Sequence, residues 1–385
     1  MIGEHKKGAL AEHGTKKIGP GKVFERLWKQ TGIGDCLKTQ LSGRRYQFDV
    51  ESAIFMTVVH RLMEPGSDRA AEKWRWKQSL PQKVYDLDLH QLYRAMAWLG
   101  ERLPDDQQEG RTPFAPRCVK DLIEEELFSM RRDLFTEVAV IFFDTTTLYF
   151  EGKGGQELGR RGKNKDHRPD APQIVVGLVI DGEGRPLCCE MWPGNTTDVT
   201  TMLPIVDRLR KKFRVMETCV VADRGMISKK TISELEKRGI NYILGARMRK
   251  QKDVAKTYKM LWMVEHLFRT VKSILDTRPI YHKWDETIRG HVFCSFLALI
   301  LMRELQDRMA AKGHPDAEWA DVLRDLDSVS ETLVQSSDGK HFMIRSEARG
   351  WCGKTFQAAG VALPPTIRQV ESPADDETPQ PRSRA

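Results

Sequence analysis

The sequence predicts an α/β protein, with helices at both ends of the chain and a five-stranded mixed sheet with flanking helices in its middle. From residue 23 to about 134, apolar residues recur every three to four positions, as they do in amphipathic helices. Short runs rich in Val, Ile and Phe then appear, and such runs are typical of buried strands. They lie at 138–143, 173–181, 186–192, 218–225 and 241–248. Helical patterns separate the later runs, which indicates alternation of strands and helices.

Composition divides the chain into five regions. Residues 1–22 are polar and rich in Gly and Lys, which predicts a flexible tail. Residues 23–134 form the predicted helical domain, and residues 137–311 the predicted sheet domain with its helices. Weaker helical patterns fill residues 312–363. Residues 364–385 are rich in Pro and acidic residues, which predicts a disordered tail.

The totals indicate a soluble protein and are compatible with a polyanionic partner, without proving one. Lys and Arg number 62 against 54 Asp and Glu, a net charge of +8, and a basic excess is compatible with a polyanion. The seven cysteines show no metal-ligand spacing, which predicts reduced thiols. We find neither a signal peptide nor an apolar run long enough to span a bilayer, so we expect a cytoplasmic protein without a membrane partner. No GxxxxGK[ST] loop occurs, so ATP is not expected.

Two of the predicted strands end on aspartate. "VAVIFFDTTTLYFEG" (138–152) brings Asp144 after six apolar residues, and "TCVVADRG" (218–225) brings Asp223 after a second apolar run. Asp and Thr both favour turns, so a strand-end turn explains one such aspartate. It explains the repeated pattern poorly, because a charge at the end of a buried strand is costly unless it is paired.

A third carboxylate lies on the helix predicted over residues 254–276. At about 100° per residue, Tyr258, Glu265, Arg269 and Lys272 share one face, and the apolar residues lie opposite. An ordinary amphipathic helix with a solvated polar face would look the same. Together with the two aspartates, however, Glu265 completes a set of oxygen ligands suited to two Mg²⁺ ions roughly 3.5–4 Å apart, with Mn²⁺ as a substitute. Such ions catalyse phosphodiester substitution, and nearby cations hold the phosphates.

These segments resemble the DDE transposases of bacterial insertion sequences, in the large group with a Tyr…Glu…Lys signature. The resemblance covers residues 20–360 and is carried by "FFDTTTLYFEG", "WPGNTTD", "VVADRGMIS" and "YKMLWMVEHLFRTVKS". It implies a ribonuclease-H-like core with Asp144, Asp223 and Glu265 as catalytic metal ligands. It also implies that Tyr258 and Lys272 match the signature. The Arg often found between Tyr and Glu is Leu261 here, and Arg269 is the candidate replacement.

The resemblance further implies a Mg²⁺-dependent enzyme that cuts and joins double-stranded DNA. Its partners would be the terminal inverted repeats of its own element and a target DNA, and a homodimer would act in the DNA complex. The helical domain at 23–134 suits recognition of the element ends. Basic residues outside the signature are further candidates for DNA contact, although a solvated surface is the alternative for each group. They are Arg160, Arg161, Lys163, Lys165, Arg168, Arg208, Lys211 and Lys212.

One departure from the family keeps other functions open. Glu265 follows Asp223 by 42 residues (223 to 265), whereas relatives commonly carry a large β-rich insertion in this interval. The chain is then either a compact enzyme or an internally deleted, inactive copy that only binds DNA. A nuclease of the same fold that does not join strands is the third possibility. Terminal inverted repeats beside the gene would favour transposition over the nuclease.

Overall fold

The structure is a computed structural model, and it describes residues 11–109, 111, 115–131, 140–163, 165, 168–215, 219–226, 228–244 and 260–371. The chain divides into two compact units. Unit 1 comprises residues 1–31, 46–89 and 301–385, and unit 2 comprises residues 32–45 and 90–300.

Nine strands and twelve α-helices are formed by the described residues. The strands are β1 (Ala11–Lys17), β2 (Val140–Tyr149), β3 (Gln173–Asp181), β4 (Pro186–Pro193), β5 (Cys219–Ala222), β6 (Asn241–Leu244), β7 (Ser330–Gln335), β8 (His341–Arg345) and β9 (Ile367–Val370). The helices are α1 (Gly19–Gln30), α2 (Ile33–Leu41), α3 (Val50–Met63), α4 (Asp68–Trp74), α5 (Leu89–Leu99), α6 (Val119–Arg131), α7 (Asp198–Lys212), α8 (Lys229–Lys237), α9 (Trp262–Arg269), α10 (Asp285–Ala311), α11 (Trp319–Ser328) and α12 (Cys352–Ala359).

The central sheet lies in unit 2 and has the strand order β4-β3-β2-β5-β6. Strands β2, β3 and β4 form an antiparallel meander, and β5 and β6 then continue parallel to β2. This confirms the predicted five-stranded mixed sheet, and its order and directions are those of a ribonuclease-H-like fold. The five apolar runs in the sequence predicted this sheet. The runs are continuous because both faces of the sheet are covered, so its strands have few polar positions.

The two faces of the central sheet carry different helices. Ile141 and Phe143 pack with residues of α7 and α8 in one apolar cluster. Alternate residues of a strand point to opposite faces, so Phe142, which is also buried, belongs to the other face. Helix α9 packs against β2 and β3, and its buried residues lie outside the cluster on α7 and α8. The sheet is therefore covered on both sides.

Strand β2 is longer than predicted. Its antiparallel pairing with β3 continues to Tyr149, opposite Gln173, whereas its parallel pairing with β5 ends at Phe143. Asp144 thus lies within β2, at the point where the neighbouring parallel strand stops. The expectation that Asp144 ends its strand was wrong because Thr residues, which favour turns, also suit a half-buried strand.

Unit 1 contains a second, antiparallel sheet of order β1-β7-β8-β9, which the sequence did not predict. It corrects three expectations. Strand β1 and the start of α1 lie within the predicted flexible tail, the region 312–363 is not purely helical, and β9 lies within the predicted disordered tail. Residues 1–10 and 372–385 lie outside the described residues. Strand β1 is "AEHGTKK", and such a polar strand gives no apolar signal, because backbone pairing rather than burial holds it.

The predicted helical domain 23–134 is not one compact unit. Its helices α1, α3 and α4 belong to unit 1, and α2 and α6 belong to unit 2 with the central sheet. Helical periodicity predicts the helices but not their neighbours, because an apolar face can be buried against many partners. None of the helices described in the chain combines the length and apolar character that crossing a membrane requires.

Candidate active site

Asp144 and Asp223 lie at matching positions on two neighbouring parallel strands. The last paired residues of β2 and β5 are Phe143 and Ala222, and each aspartate is the next residue along its strand. Residues in register on adjacent parallel strands point to the same side of a sheet. The structure therefore brings together the two aspartates that the sequence selected.

The carboxyl group of Asp144 is in an unusual environment. Its pKa is raised from the usual 3.8 to about 6. Burial is the largest cause, and the nearby carboxylates of Asp223 and Asp198 add to it against the lowering effects of Lys165 and of the Thr145 N–H. The backbone N–H of Thr145 donates to Asp144 Oδ1 at 2.7 Å. Such a site favours a cation, because a cation relieves the repulsion between carboxylates.

Asp198, the first residue of α7, is a third carboxylate at this site. Its Oδ1 accepts a hydrogen bond of 2.7 Å from the hydroxyl group of Thr145, and its Oδ2 lies 3.3 Å from Lys165 Nζ. A Cβ atom added at Gly225 would lie 3.7 Å from Asp198 Oδ2 and 3.9 Å from Asp223 Oδ2. These two carboxylates therefore approach the same point.

The sequence analysis did not select Asp198, although "WPGNTTD" was among the segments that carried the resemblance. An acidic residue in the first turn of a helix is common, because it interacts favourably with the helix dipole. The signal that could have found Asp198 is its place after a Gly-Asn turn that follows a strand of the same sheet. At that position the first turn of the helix lies at an edge of the sheet, which is where ligands bind in other α/β proteins.

Glu265 lies on α9, and its side chain is exposed. Val264, Leu267 and Phe268 form the buried side of the helix, which is the side predicted to be apolar. Because α9 packs against β2 and β3, it lies on the sheet that carries Asp144. The assignment of Glu265 as a metal ligand remains a prediction.

The helix of Glu265 changes its geometry after one turn. Residues Thr270–Ile274 form a π-helix, and the N–H of Leu275 donates to the carbonyl of Thr270 at 2.9 Å. A π-helical turn is wider than an α-helical turn, so Lys272 departs from the position that an ideal helical wheel gives it. Arg269 is exposed and Lys272 half-buried, whereas Tyr258 lies outside the described residues.

The basic loop after β2 is held beside the site. The side-chain amide of the buried Gln173 donates to the carbonyl groups of Lys163 and Gly194, at 3.2 and 2.7 Å. Arg161 and Lys163 are exposed. Arg160 is exposed and lines a cleft of about 950 Å³ that also contains Arg102 and Arg111.

Lys165, in the same loop, lies beside the carboxylate of Asp198. Its Nζ donates to the backbone carbonyl of Thr145 at 2.7 Å and to its hydroxyl group at 3.2 Å, and its backbone N–H donates to Thr147 Oγ1 at 2.9 Å. Arg168 forms an exposed ion pair with Asp170. The assignment of both residues as DNA contacts remains a prediction.

Arg208 does not fit its predicted role. Its side chain is 1 % exposed, and its Nη2 lies 2.7 Å from both Asp121 Oδ1 and Glu124 Oε2. The prediction that Arg208 contacts DNA was wrong, because this arginine belongs to a buried ion cluster of α6, β4 and α7. A run of basic residues on a helix does not reveal which of them faces inward. Lys211 is exposed, and Lys212 lies 3.8 Å from Glu109 Oε2.

The donor set of the site fits a hard divalent cation. Asp144, Asp198 and Asp223 supply carboxylate oxygens, and Glu265 is the further candidate. Mg²⁺ and Mn²⁺ prefer such ligands. The charge balance agrees, because the three aspartates bring three negative charges, and the described residues place one ammonium group, that of Lys165, near Asp144 and Asp198.

The topology of this sheet defines a ribonuclease-H-like domain. Residues 138–301 match the family model of the transposase DDE domain. The matched segment begins just before β2 and includes all five strands, Asp144, Asp223 and Glu265. The match supports a DDE transposase.

Two solved structures resemble the chain weakly. The large terminase nuclease from thermophilic phage G20c, with bound magnesium, is 16 % identical and has a TM-score of 0.16, over 59 % of this chain and 96 % of that one. The Mos1 mariner paired-end complex with Mn is 9 % identical and has a TM-score of 0.20, over 76 % of this chain and 88 % of that one. No curated protein matches the chain. The fold assignment rests on the sheet topology.

Proposed function

We propose that the chain is a metal-dependent DNA transposase that cuts and joins DNA at the ends of its own insertion sequence. The observation that carries this proposal is the register of Asp144 and Asp223 at the point where β5 ends. The family match over residues 138–301 supports it. Phosphodiester substitution needs fixed, negatively charged ligands at one edge of a rigid sheet, and the two aspartates provide them.

Asp144, Asp223 and Glu265 would hold two Mg²⁺ ions, or Mn²⁺ in their place. When bound, the ions lower the pKa of the attacking hydroxyl group and stabilise the charge on the scissile phosphate. The residues of the chain hold these metal ligands in position. The N–H of Thr145 orients Asp144, and the Thr145 hydroxyl group ties the strand to Asp198 on α7. Orientation of this kind raises both metal affinity and activity.

Double-stranded DNA is the proposed partner, as the inverted repeats of the element and as the target. The basic loop supports this proposal, because Arg160, Arg161 and Lys163 are exposed beside the site. Arg269 and Lys272 follow Glu265 on its helix, and Tyr258 is the further candidate from the family signature. We further propose that a homodimer acts on paired ends.

A DNA-binding remnant is the second candidate. The short interval of 42 residues between Asp223 and Glu265 favours it, because relatives use an insertion there. A nuclease without strand joining would show the same cleavage chemistry but no joined product. The three functions therefore differ in which steps occur, not in where DNA binds.

The decisive experiment uses a duplex that carries the ends of the element. We expect Mg²⁺-dependent cleavage followed by joining to a second duplex, and we expect Asp223→Asn to abolish both while leaving DNA binding intact. Asp207→Asn is the matched control, since Asp207 lies on α7 and pairs with Arg238. Cleavage without joining would indicate a nuclease, and binding alone would indicate a remnant. Wild-type cleavage by Asp223→Asn would refute the assignment of the site.

A further inference from the structure

Two clefts meet on the outer side of α7. The larger has a volume of about 950 Å³ and reaches Arg160, and the smaller has a volume of about 450 Å³ and reaches Lys211 and Lys230. Arg111 and Thr200 line both clefts, so the clefts form one continuous groove, which we call the α7 groove. All the residues that line it belong to unit 2.

One face of α7 lines the groove, with residues at intervals of three and four positions. They are Thr200, Leu203, Asp207 and Lys211. The side chain of Asp198 leaves the helix in another direction. At about 100° per residue it is about 200° from Thr200 around the axis, and its Oδ1 accepts from the hydroxyl group of Thr145 on β2. The groove therefore lies beside the carboxylates and is not part of the metal site.

The α7 groove is positively charged, because five basic and two acidic residues line it. The basic residues are Arg102, Arg111, Arg160, Lys211 and Lys230. Of the acidic residues, Glu157 lies 3.0 Å from Arg289, and Asp207 lies 2.9 Å from Arg238. Both carboxylates are thus already balanced by an arginine outside the groove. The charge of the five basic residues therefore favours a polyanion.

The five basic residues can reach a ligand. All of them are exposed, and four form no ion pair within the part of the chain that the structure describes. The exception, Arg102, lies 3.2 Å from Asp105, and both side chains are more than half exposed. Such a pair contributes only about 0–1 kcal/mol. Arg160 uses one of its N–H donors on the carbonyl of Gly159, at 3.1 Å. A polyanion can therefore bind these cations at little cost.

The length and shape of the groove fit a DNA backbone. An α-helix rises about 1.5 Å per residue, so the stretch from Thr197 to Lys211 spans about 21 Å. Duplex DNA rises about 3.4 Å per base pair, so the groove extends over about six base pairs and is too long for one small anion. Elements that read sequence enter the major groove, whereas a concave surface surrounds a backbone. Arg, Lys and Thr side chains that bind phosphates carry no sequence information.

We propose that the α7 groove binds the backbone of the second duplex, to which the cut end is joined, without reading its sequence. The inference deepens the proposed function and rests on it for the existence of a second duplex. An element end has the same sequence in every reaction, whereas the second duplex varies, so binding through phosphates alone suits the second duplex. Thr197 lines the groove and directly precedes Asp198, so a duplex in the groove passes beside the carboxylates.

The first test measures the salt dependence of binding between the full-length chain and a fluorescent duplex of unrelated sequence, without divalent metal. Each phosphate contact contributes about 0.9 to the slope of log K against log salt. We expect Arg111→Gln and Lys230→Gln each to lower the slope by about that amount, and the double variant to lower it by about 1.8. Arg111→Lys should keep the wild-type slope, because it keeps the charge. An unchanged slope in the double variant would refute the proposal.

The matched control removes the same net charge elsewhere in unit 2. Lys38 on α2 and Lys237 at the end of α8 are exposed, and both lie outside the described lining of the groove. The double variant Lys38→Gln/Lys237→Gln should have the wild-type slope. An equal drop in this control would show that net charge, and not the groove, sets the slope. A loss of slope confined to duplexes that carry the element ends would also contradict the proposal.

A second test separates joining from cutting. Element ends are supplied already cut, and the rate of joining is measured against the concentration of the second duplex. Arg111→Gln/Lys230→Gln should raise KM for this duplex by about the factor by which it weakens binding. The maximal rate should not change, because the groove does not contact the reacting phosphate. An unchanged KM, or a loss of maximal rate alone, would contradict the proposal.

The two tests separate failure of the groove from failure of the proposed function. The binding test requires neither metal nor cleavage, so it gives a result whether or not the chain cuts DNA. A wild-type slope in Arg111→Gln/Lys230→Gln refutes the groove and leaves the assignment of the carboxylates intact. A reduced slope in a chain that neither cuts nor joins refutes the transposase proposal, and with it the role of the bound DNA as the second duplex.

Discussion

The Thr145 hydroxyl group donates to Asp198 Oδ1 at 2.7 Å, and this hydrogen bond joins the strand of Asp144 to the start of α7. Thr145 is buried, so its hydroxyl group fixes the carboxylate of Asp198 firmly. The same carboxylate faces Lys165. Asp198 thus adds a negative charge to the site and also pairs with the ammonium group of Lys165.

The first prediction is that Asp198→Asn weakens divalent metal binding. The amide oxygen can still accept from Thr145, but one negative charge is lost and Lys165 loses its charged partner. Residues that support metal ligands typically change affinity roughly 10–100-fold when altered. Titration calorimetry with Mn²⁺ should show a loss in this range, and Asp198→Glu should recover part of it. Asp207→Asn, on the same helix, should bind Mn²⁺ as the wild type does. Unchanged affinity in Asp198→Asn would remove Asp198 from the site.

The second prediction concerns Arg208, which belongs to the buried ion cluster. Asp121 and Glu124 pair with two cations, Lys120 and Arg208. Arg208→Met removes one of them, and the excess negative charge left in the buried cluster is costly. Breaking such a pair typically costs about 3–5 kcal/mol. Urea unfolding should show a loss of this order, whereas Lys211→Met, at an exposed site, should change stability by less than about 0.5 kcal/mol. A larger loss of stability in Lys211→Met than in Arg208→Met would contradict the burial of Arg208.

The third prediction is a pH dependence that arises from Glu190 in the same cluster. Burial raises the pKa of its carboxyl group from 4.5 to about 7. The folded protein therefore binds more protons than the unfolded chain between these values, so stability falls as pH rises from about 4.5 to 7. Glu190→Gln keeps the side-chain shape without the charge. Its unfolding free energy should fall less with pH across this window than that of the wild type, whereas exposed Glu183→Gln should follow the wild type. If the unfolding free energy of Glu190→Gln fell with pH as steeply as that of the wild type, the raised pKa of Glu190 would be refuted.

The extent to which sequence predicts this structure differs between the two sheets. Strands β2 to β6 were predictable because a sheet covered on both faces requires continuous apolar runs. The sheet of unit 1 was not, because β9 is mostly exposed and β1 is polar. Their stability comes from backbone pairing with residues far along the chain, which local composition does not record.

The sequence also predicted only part of the candidate site. Asp144 and Asp223 could be selected because each interrupts or follows an apolar strand, an arrangement that costs free energy unless the charge is used. Asp198 was not selected and Arg208 was misjudged, because the sequence of a helix gives the charge of a residue but not the direction of its side chain. The α7 groove is lined by segments that lie far apart in the chain, so no local pattern predicts it.

The last prediction decides whether Glu265 shares the metal site despite the short interval that precedes it. The apolar side of α9 packs on the sheet, and burying this side stabilises the helix whatever connects it to β6. We therefore expect its carboxylate to reach ions held by Asp144 and Asp223. Two such ions are only roughly 4 Å apart, so all three ligands must lie close to each of them.

Iron-directed backbone cleavage measures this proximity directly. Fe²⁺ replaces Mg²⁺ at an oxygen-ligand site, and with ascorbate and peroxide it cuts the chain near the ion. We expect fragments that end near residues 144, 223 and 265, all lost in Asp223→Asn and all retained in Asp207→Asn. Cuts near 144 and 223 without one near 265 would show that α9 does not contribute, and the remnant would then be favoured. Cuts at all three positions, combined with cleavage and joining of DNA, would establish a compact transposase.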